Sequence, residues 1–257
     1  MKLASWNVNS IKMRLPIVCD WLKSQSPDVL LLQELKCETD AFPLLEIQSL
    51  GYHALVKGQK AYNGVAIISK EKAYLRTDTL DGDEADVQAR YIEADYNGLI
   101  VASIYLPNGN PLGTEKFTYK LGFMQRLLSR AKLLYALEKP TVLAGDYNVI
   151  PTDTDARSPE NWKADALAQP QSRAQLNALL HHGYSDAFRA FHANETHAYT
   201  YWDYQNGAWP KDDGIRIDHI LTSPEATDAL KNCWIDRNPR SLEKASDHTP
   251  IIADFNV

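Results

Sequence analysis

The stretch Gly145-Asp146-Tyr147-Asn148 places a carboxylate and an amide directly after a short apolar run, Val142 to Ala144. This order is typical of a buried strand that ends at a functional site. Because side chains alternate along a strand with period two, we expect Asp146 and Asn148 on the same face. A carboxylate can accept a proton there, and an amide can orient a water molecule or a phosphate. Ordinary turns also use these residue types, so the interpretation depends on the rest of the chain.

Other apolar runs also end in polar side chains, and the full set is Asn7, Glu34, Tyr105, Asp146, Asn148, Asp218, Asp247 and His248. In a sheet protein the strand ends gather at one edge, so we expect these groups to share a cleft. Carboxylates and amides without a cysteine–histidine cluster favour a hard cation held by oxygen, Mg²⁺ or Mn²⁺, over zinc. A divalent ion with few protein ligands typically acts on phosphate. The sequence has no phosphate-binding glycine loop, no nucleophile elbow and no dinucleotide fingerprint, which leaves water as the simplest nucleophile.

The elements that must position these groups alternate between strands and helices. Lys2 to Val8 and Val29 to Leu32 are predicted strands, and the helix between them has Ile11, Leu15, Val18 and Leu22 on one face. Asn97-Gly98 predicts a hairpin between strands at 90–96 and 99–105. Apolar residues spaced from Phe117 to Tyr135 predict a long amphipathic helix before the Gly145–Asn148 stretch. This alternation predicts the α/β class.

The composition limits the remaining interpretations. The chain has 257 residues, and without a clear linker we predict a single catalytic domain over residues 1–257. The net charge of −6 is unusual for a nucleic-acid binder, although a local positive face or a bound metal ion would compensate for it. Three cysteines without metal spacing are typical of a reducing compartment. With no signal peptide and no apolar run of membrane-spanning length, we expect a cytoplasmic protein that does not enter a membrane.

Seven motifs in order resemble the exonuclease III family, the bacterial abasic-site endonuclease branch of the endonuclease/exonuclease/phosphatase superfamily. They are Trp6-Asn7-Val8-Asn9, Leu32-Gln33-Glu34, Tyr62-Asn63-Gly64-Val65-Ala66, Tyr105-Leu106-Pro107-Asn108-Gly109, Gly145-Asp146-Tyr147-Asn148, Arg216-Ile217-Asp218 and Ser246-Asp247-His248. The resemblance implies a four-layer α/β sandwich, in which two mixed β-sheets pack face to face with helices on the outside. It also implies a Mg²⁺-dependent DNA phosphodiesterase of base excision repair. Such enzymes cut duplex DNA on the 5′ side of abasic sites, and often trim 3′ ends or remove 3′ blocking groups.

The same resemblance assigns roles around the metal. Glu34 and Asp247, with Asn7 behind them, would hold the ion against a non-bridging phosphate oxygen. Asp146 would activate the attacking water and Asn148 would orient it. The resemblance also allows a second ion near Asp146 and Asn148, and the sequence does not decide between one ion and two. The family also implies a bacterial cytoplasmic enzyme, which we expect to be a monomer.

The remaining catalytic assignments concern the phosphate. His248 would contact the scissile phosphate, and Asp218 would orient its ring and favour the protonated form. His219 competes for Asp218, but strand alternation predicts that it points to the other face. Tyr105 would steady the phosphate or the leaving oxygen.

Contacts with DNA are expected from loops that follow the strand ends. By resemblance, Lys12, Tyr62 and Asn108 would touch the backbone. Three further positions, Tyr201, Ile215 and Ile217, match residues that line the pocket for a flipped-out abasic sugar. Relatives often carry tryptophan at the position of Ile215, and Trp209 in the neighbouring loop is a candidate to compensate for its absence.

Two alternatives remain. The first is a phosphatase or phospholipase of the same superfamily, but those relatives tend to have an arginine soon after the Gly-Asp-x-Asn stretch. Here Asn148 is followed by Val149-Ile150-Pro151, which favours nucleic acid as the substrate. The second is a DNA-binding adaptor without turnover, although every expected catalytic position is filled.

Overall fold

The computed structural model describes residues 1–256, so Val257, the last residue of the predicted domain, lies outside the described residues. The strands are β1 (Lys2–Asn7), β2 (Val29–Gln33), β3 (His53–Lys57), β4 (Val65–Ser69), β5 (Tyr74–Thr77), β6 (Tyr91–Tyr96), β7 (Leu99–Tyr105), β8 (Thr141–Asp146), β9 (Ser185–Asp186), β10 (Asp218–Thr222), β11 (Leu230–Ile235) and β12 (Ile251–Phe255). The α-helices are α1 (Ile11–Gln25), α2 (Leu44–Ser49), α3 (Glu115–Tyr135), α4 (Pro170–His181), α5 (Ala187–Phe191), α6 (Ala208–Lys211) and α7 (Pro224–Asp228). Short 3₁₀ turns lie at Thr39–Ala41, Asp153–Asp155, Pro159–Trp162 and Asn238–Ser241.

The strands form two six-stranded sheets with the orders β11-β12-β1-β2-β4-β3 and β5-β6-β7-β8-β10-β9. The pairs β1–β2 and β7–β8 are parallel, whereas the other ladders are antiparallel. Both sheets are therefore mixed. The two parallel pairs place the ends of β1, β2, β7 and β8 at the edges where polar side chains were expected to gather.

Helices cover the outer face of each sheet, and this confirms the predicted four-layer sandwich. Leu3 and Leu31 of one sheet pack with Val142 and Ile220 of the other in the core between the sheets. On the outer faces, α1 packs against the first sheet and α3 and α4 pack against the second. Each fully buried aliphatic side chain in these interfaces contributes about 1.5–3 kcal/mol of transfer free energy. No helix within residues 1–256 is long and apolar enough to cross a membrane.

Strand alternation determines where the polar strand ends point. On β8, Val142 and Ala144 belong to the core between the sheets, whereas Leu143 packs on the outer, helical side, as does Tyr147 directly after the strand. Asp146 continues the inward-facing side of this alternation, so the apolar core between the sheets ends in a buried carboxylate. The same rule turns Asn7 inward at the end of β1.

Gly145 allows the close approach of β7 and β8 beside this carboxylate. A Cβ atom at this position would lie 1.9 Å from the carbonyl oxygen of Ile104. Any other residue would therefore push β8 away from β7 directly before Asp146. The glycine of the Gly-Asp-x-Asn stretch is explained by packing.

Short elements account for most of the differences from the sequence prediction. The sequence did not predict β5, β11, α2 or α7. These elements have too few turns or alternations for a period to stand out. The aromatic run from Tyr199 to Trp202 forms only isolated bridges, in which Tyr201 pairs with Ile215 and with His248.

Candidate active site

Glu34, Asp146 and His248 meet where the two sheets end, and we call these three residues the acidic group. One ligand atom of each lies within 4.8 Å of the others. Asp146 ends β8 in one sheet, and Glu34 directly follows β2 in the other with a φ of 52°. This left-handed conformation turns the chain at the end of β2. Chain segments from both sheets thus contribute to one cluster, as the polar strand ends predicted.

The imidazole of His248 lies between two carboxylates. Its Nδ1 donates a hydrogen bond to Asp218 Oδ2 at 2.8 Å, and its Nε2 lies 3.7 Å from Asp146 Oδ2. Asp218 and Asp146 are direct partners in the antiparallel ladder of β10 and β8. His219 points to the other side of β10, where its Nε2 donates to the carbonyl of Val149 at 3.0 Å. The competition for Asp218 is therefore settled in favour of His248.

Burial and unequal charge compensation shift the pKa values of this group. Burial disfavours the charge on His248, but attraction by Asp218 and Asp146 outweighs it and raises the pKa of the imidazole well above its usual value. Burial also raises the pKa of Asp146, and repulsion by Asp218 and Glu34 adds to this effect beyond what His248 offsets. A protonated imidazole thus stands beside a carboxylate with increased proton affinity.

Asn7 connects the two acids of the group. Its Nδ2 donates to Glu34 Oε1 and to Asp146 Oδ2, each at 2.9 Å. Its Oδ1 accepts a hydrogen bond from the backbone N–H of Asn9 at 3.0 Å. The amide therefore presents its nitrogen to the two acids and holds them in place.

A lysine contacts the other oxygen of Glu34. Lys36 Nζ lies 3.0 Å from Glu34 Oε2 and also donates to Asn9 Oδ1. Burial would raise the pKa of Glu34, but Lys36, the Asn7 amide and His248 outweigh it and lower the pKa. The ammonium group of Lys36 thus lies beside Glu34, at a position where a positive charge is favoured.

Asn148 is linked to Asp146 in a different way from the prediction. β8 ends at Asp146, and Asn148 has a φ of 48°, so strand alternation no longer applies there. The backbone N–H of Asn148 donates to Asp146 Oδ1 at 2.9 Å, and its side chain donates to the carbonyl of Leu106. Asn148 Oδ1 accepts from Asn108 Nδ2 at 3.2 Å. The expectation of a shared strand face was wrong, although the two residues remain in contact.

Asp247 and Tyr105 flank the acidic group. Asp247 Oδ1 accepts a hydrogen bond from Asn9 Nδ2 at 3.0 Å, and Asp247 does not belong to the group of close ligand atoms. Tyr105 is the parallel partner of Asp146 across β7 and β8. Burial, together with the charges of Glu34 and Asp146, raises the pKa of Tyr105, so its hydroxyl keeps its proton at neutral pH.

The residues fit a divalent cation. Four carboxylates (Glu34, Asp146, Asp218 and Asp247) face only two cationic side chains, Lys36 and His248, and Asp218 Oδ1 is buried without a hydrogen-bond partner among residues 1–256. A buried excess of negative charge is unfavourable unless a cation balances it. Oxygen ligands suit magnesium or manganese, and no cysteine contributes.

Comparison with known proteins identifies the family. Residues 4–248 match the Endonuclease/Exonuclease/phosphatase family. The chain belongs to this family.

Full-length relatives support the same assignment. The chain is 31% identical over 266 residues to exodeoxyribonuclease III of Haemophilus influenzae, and the match covers 99% of this chain and 100% of that protein. Among solved structures, the 3′-5′ exonuclease NExo of Neisseria meningitidis has a TM-score of 0.97 at 38% identity, with both chains fully covered. An AP endonuclease of Archaeoglobus fulgidus has a TM-score of 0.95 at 37% identity, again over both whole chains. NExo has also been solved as a 3′ phosphatase bound to a product DNA hairpin.

In this member of the family, the three residues expected to contact the DNA backbone are all exposed. Lys12 is the second residue of α1 and not part of a loop, Tyr62 lies in the loop between β3 and β4, and Asn108 follows β7. Asn108 is tied to the site through its hydrogen bond to Asn148. Exposure and proximity to the strand ends are compatible with backbone contact.

The residues expected to line the lesion pocket form one cluster. Ile215 and Ile217 are 1% and 2% exposed and pack with Ile150 and Leu167, with the half-buried Tyr201 against them. Trp209 is not part of this cluster. The tryptophan that packs against it is Trp162, from the 3₁₀ turn at Pro159–Trp162.

Trp209 instead packs against Trp202 at 4.8 Å between ring centroids, with the guanidinium groups of Arg237 and Arg240 over its ring. Its proposed compensation for the missing tryptophan at Ile215 was therefore wrong. The reason is physical: two arginines and a second indole hold it elsewhere.

Sequence reasoning missed several residues that support the site. Lys120 of α3 is fully buried, and its Nζ donates to the carbonyls of Asn108 at 3.0 Å and Asn148 at 2.5 Å. Asn9 links Asn7 with Asp247 and Lys36. Asn9 was visible within the Trp6–Asn9 motif. The only sequence signal for Lys120 was its polar side chain within an amphipathic helix.

Proposed function

We propose that this chain is a Mg²⁺-dependent DNA phosphodiesterase that incises duplex DNA on the 5′ side of abasic sites and also removes nucleotides or phosphate from 3′ ends. The observation that carries the proposal is the acidic group, held at the junction of two sheets with more carboxylates than cations. The relatives' names cover abasic-site cleavage, 3′-5′ exonuclease activity and 3′ phosphatase activity. The balance among these reactions is therefore the property that experiments must establish.

Glu34 and Asp247, with Asn7 behind them, would hold the ion, and Mn²⁺ is the alternative to Mg²⁺. A second ion would use Asp146 and Asn148. When bound, a divalent cation would supply positive charge against a non-bridging phosphate oxygen.

The side chains of the chain supply the proton transfers and orientation. Asp146, with its raised pKa, would accept a proton from the attacking water, and Asn148 would orient that water. His248, kept protonated by Asp218, would donate a hydrogen bond to the phosphate as negative charge develops. Tyr105, whose hydroxyl stays protonated, would steady the phosphate or the leaving oxygen.

The substrate would be held by groups around this centre. Lys12, Tyr62 and Asn108 would contact the DNA backbone, and Tyr201, Ile215 and Ile217 would form the apolar wall that receives a sugar without a base. We propose a cytoplasmic monomer that acts on double-stranded DNA with abasic sites or damaged 3′ ends.

The test is incision of a duplex oligonucleotide that carries one abasic analogue. We expect Mg²⁺-dependent cleavage on the 5′ side of the analogue that leaves a 3′-hydroxyl, and we expect EDTA to abolish it. The same panel should include a recessed 3′ end and a 3′-phosphate. Stoichiometric DNA binding without any product would instead support an adaptor without turnover.

A further inference from the structure

A cavity of about 190 Å³ opens beside the lesion-pocket cluster. Its wall includes the aromatic rings of Trp162 and Tyr201, together with Asn161, Asp165, Asp203 and Asp213. Trp162 and Tyr201 also pack against the apolar cluster that contains Ile215 and Ile217. The cavity has about six times the volume that one water molecule occupies in the liquid, so it has room for one flat ring system.

Tyr201 lies between the cavity and the reaction centre. The ring of Tyr201 meets the ring of His248 edge-on at 5.0 Å between centroids, and the two residues form a backbone bridge. A phosphate held at His248 would therefore carry its attached sugar along Tyr201. The group beyond that sugar would reach the cavity.

The chemistry of the wall selects the kind of group that fits. Three carboxylates would repel a phosphate, so the occupant must be the uncharged part of a nucleotide. The indole of Trp162 and the phenol of Tyr201 offer faces on which a base can stack. A heteroaromatic base also carries the N–H donors that carboxylates accept.

Each carboxylate is held in place by one oxygen. Asp165 Oδ1 accepts from Asn110 Nδ2 and the N–H of Leu167, while Asp213 Oδ1 accepts from Ser158 Oγ. Asp203 Oδ1 accepts from the N–H of Gln205. The Oδ2 atoms of these three residues accept no hydrogen bond from side chains or backbone groups within residues 1–256. These oxygens remain available to a ligand.

We propose that this cavity binds the nucleobase of the nucleotide on the 3′ side of the scissile phosphate, with Trp162 as its stacking wall. The proposal rests on the proposed function. In every reaction of that function, a water oxygen bonds to phosphorus, the P–O3′ bond breaks and the departing O3′ takes up a proton. The reactions differ in what stays attached to the phosphate: a nucleoside in exonuclease cleavage, an abasic sugar in incision, and nothing in 3′-phosphate removal.

This difference provides the test, because only the exonuclease reaction places a base in the cavity. Trp162→Ala is compared with wild type on three matched duplexes: a recessed 3′ nucleotide, an internal abasic analogue and a 3′-phosphate. We expect the ratio of kcat/KM for nucleotide release to that for 3′-phosphate removal to fall at least about tenfold, in line with the loss of one base–aromatic stack. The ratio of abasic incision to 3′-phosphate removal should change far less.

Two further variants separate stacking from folding. Trp162→Phe keeps an aromatic face, so its ratio of nucleotide release to 3′-phosphate removal should lie close to the wild-type ratio. Trp209→Phe changes a tryptophan that packs between Arg237 and Arg240 away from the cavity, so it should leave the ratio at the wild-type value. Thermal unfolding of each variant shows whether the fold is retained.

The outcomes are distinct. Equal losses in all three reactions, or an unchanged ratio in Trp162→Ala, would overturn the nucleobase site while leaving the proposed function in place. A wild-type protein that hydrolyses none of the three duplexes would refute the proposed function, and the nucleobase site with it. The proposal is supported if Trp162→Ala loses mainly nucleotide release and Trp162→Phe recovers most of that activity.

Discussion

Two groups of buried charge, one containing Arg216 and the other Asp218, are compensated in opposite ways. In the first, which we call the paired network, Arg216 donates to Asp155 Oδ1 at 2.7 Å and to Asp186 Oδ2 at 2.8 Å. Arg189 donates to the same Asp155 oxygen at 2.6 Å. In the second, which is the acidic group together with Asp218 and Asp247, the carboxylates outnumber the cationic side chains Lys36 and His248.

The pKa shifts report this difference. Burial would raise the pKa of Asp155 and of Asp186, but Arg216 outweighs it and lowers both. For Asp146, burial and like charge raise the pKa instead. A buried carboxylate with its own arginine has its charge balanced within the fold, whereas one without a matched cation indicates a place for a ligand or a reaction.

The largest predicted difference between the two groups is in catalysis, and a substitution at Asp146 tests it. Asp146→Asn keeps the shape of the side chain but removes the proton acceptor, so we expect kcat to fall by at least about a thousandfold with DNA binding retained. The variant should also unfold at the same or a higher temperature than wild type without metal, because it removes an uncompensated buried charge. Turnover assays and thermal unfolding measure the two effects, and normal cutting would refute the role of Asp146.

Arg216→Met should lower stability, in contrast to Asp146→Asn. It leaves Asp155 and Asp186 buried with less compensation, so we expect a loss of about 3–5 kcal/mol in the free energy of unfolding. Urea denaturation measures this loss. Lys163→Met breaks an exposed ion pair with Glu160 and serves as the control that should leave stability unchanged. Equal midpoints for Arg216→Met and wild type would contradict the paired network.

A smaller effect concerns pH. Because the pKa of Asp155 is lower in the folded protein than its unfolded value of about 3.9, its stabilising contribution is complete above that value and is lost as pH falls below it. Asp155→Asn lacks this contribution at every pH. We therefore expect the stability difference between wild type and Asp155→Asn to shrink between about pH 4 and pH 2. A difference that stays constant over this range would show that the ion pair is not its source.

The acidic group shows what the sequence could predict. Asp146, Glu34 and Asn7 were found because each ends an apolar run, and strand ends meet at a sheet edge. The pairing of Asp218 with His248 spans thirty residues and came from the family motifs, although strand alternation excluded His219 as the competitor.

Residues that depend on packing between distant segments could not be predicted. Lys120 reaches the carbonyls of two loops from the middle of a helix, and nothing in the local pattern indicates its partners. Trp162 and Trp209 both lie in polar stretches of the sequence, and only the positions of Arg237, Arg240 and Ile215 in the fold decide which indole lies beside the pocket. The paired network was missed for the same reason, since Asp155 is part of a loop rich in aspartate.

Binding of Mn²⁺, followed by electron paramagnetic resonance in the absence of DNA, tests most directly whether the uncompensated carboxylates hold a divalent ion. We predict saturable binding by the wild type and at least about tenfold weaker binding by Glu34→Gln, since even outer-shell changes weaken metal sites by 10–100-fold. Asp153→Asn, which alters an exposed carboxylate paired with Arg173, should bind like wild type. Equal Mn²⁺ affinity of wild type and Glu34→Gln would contradict the account.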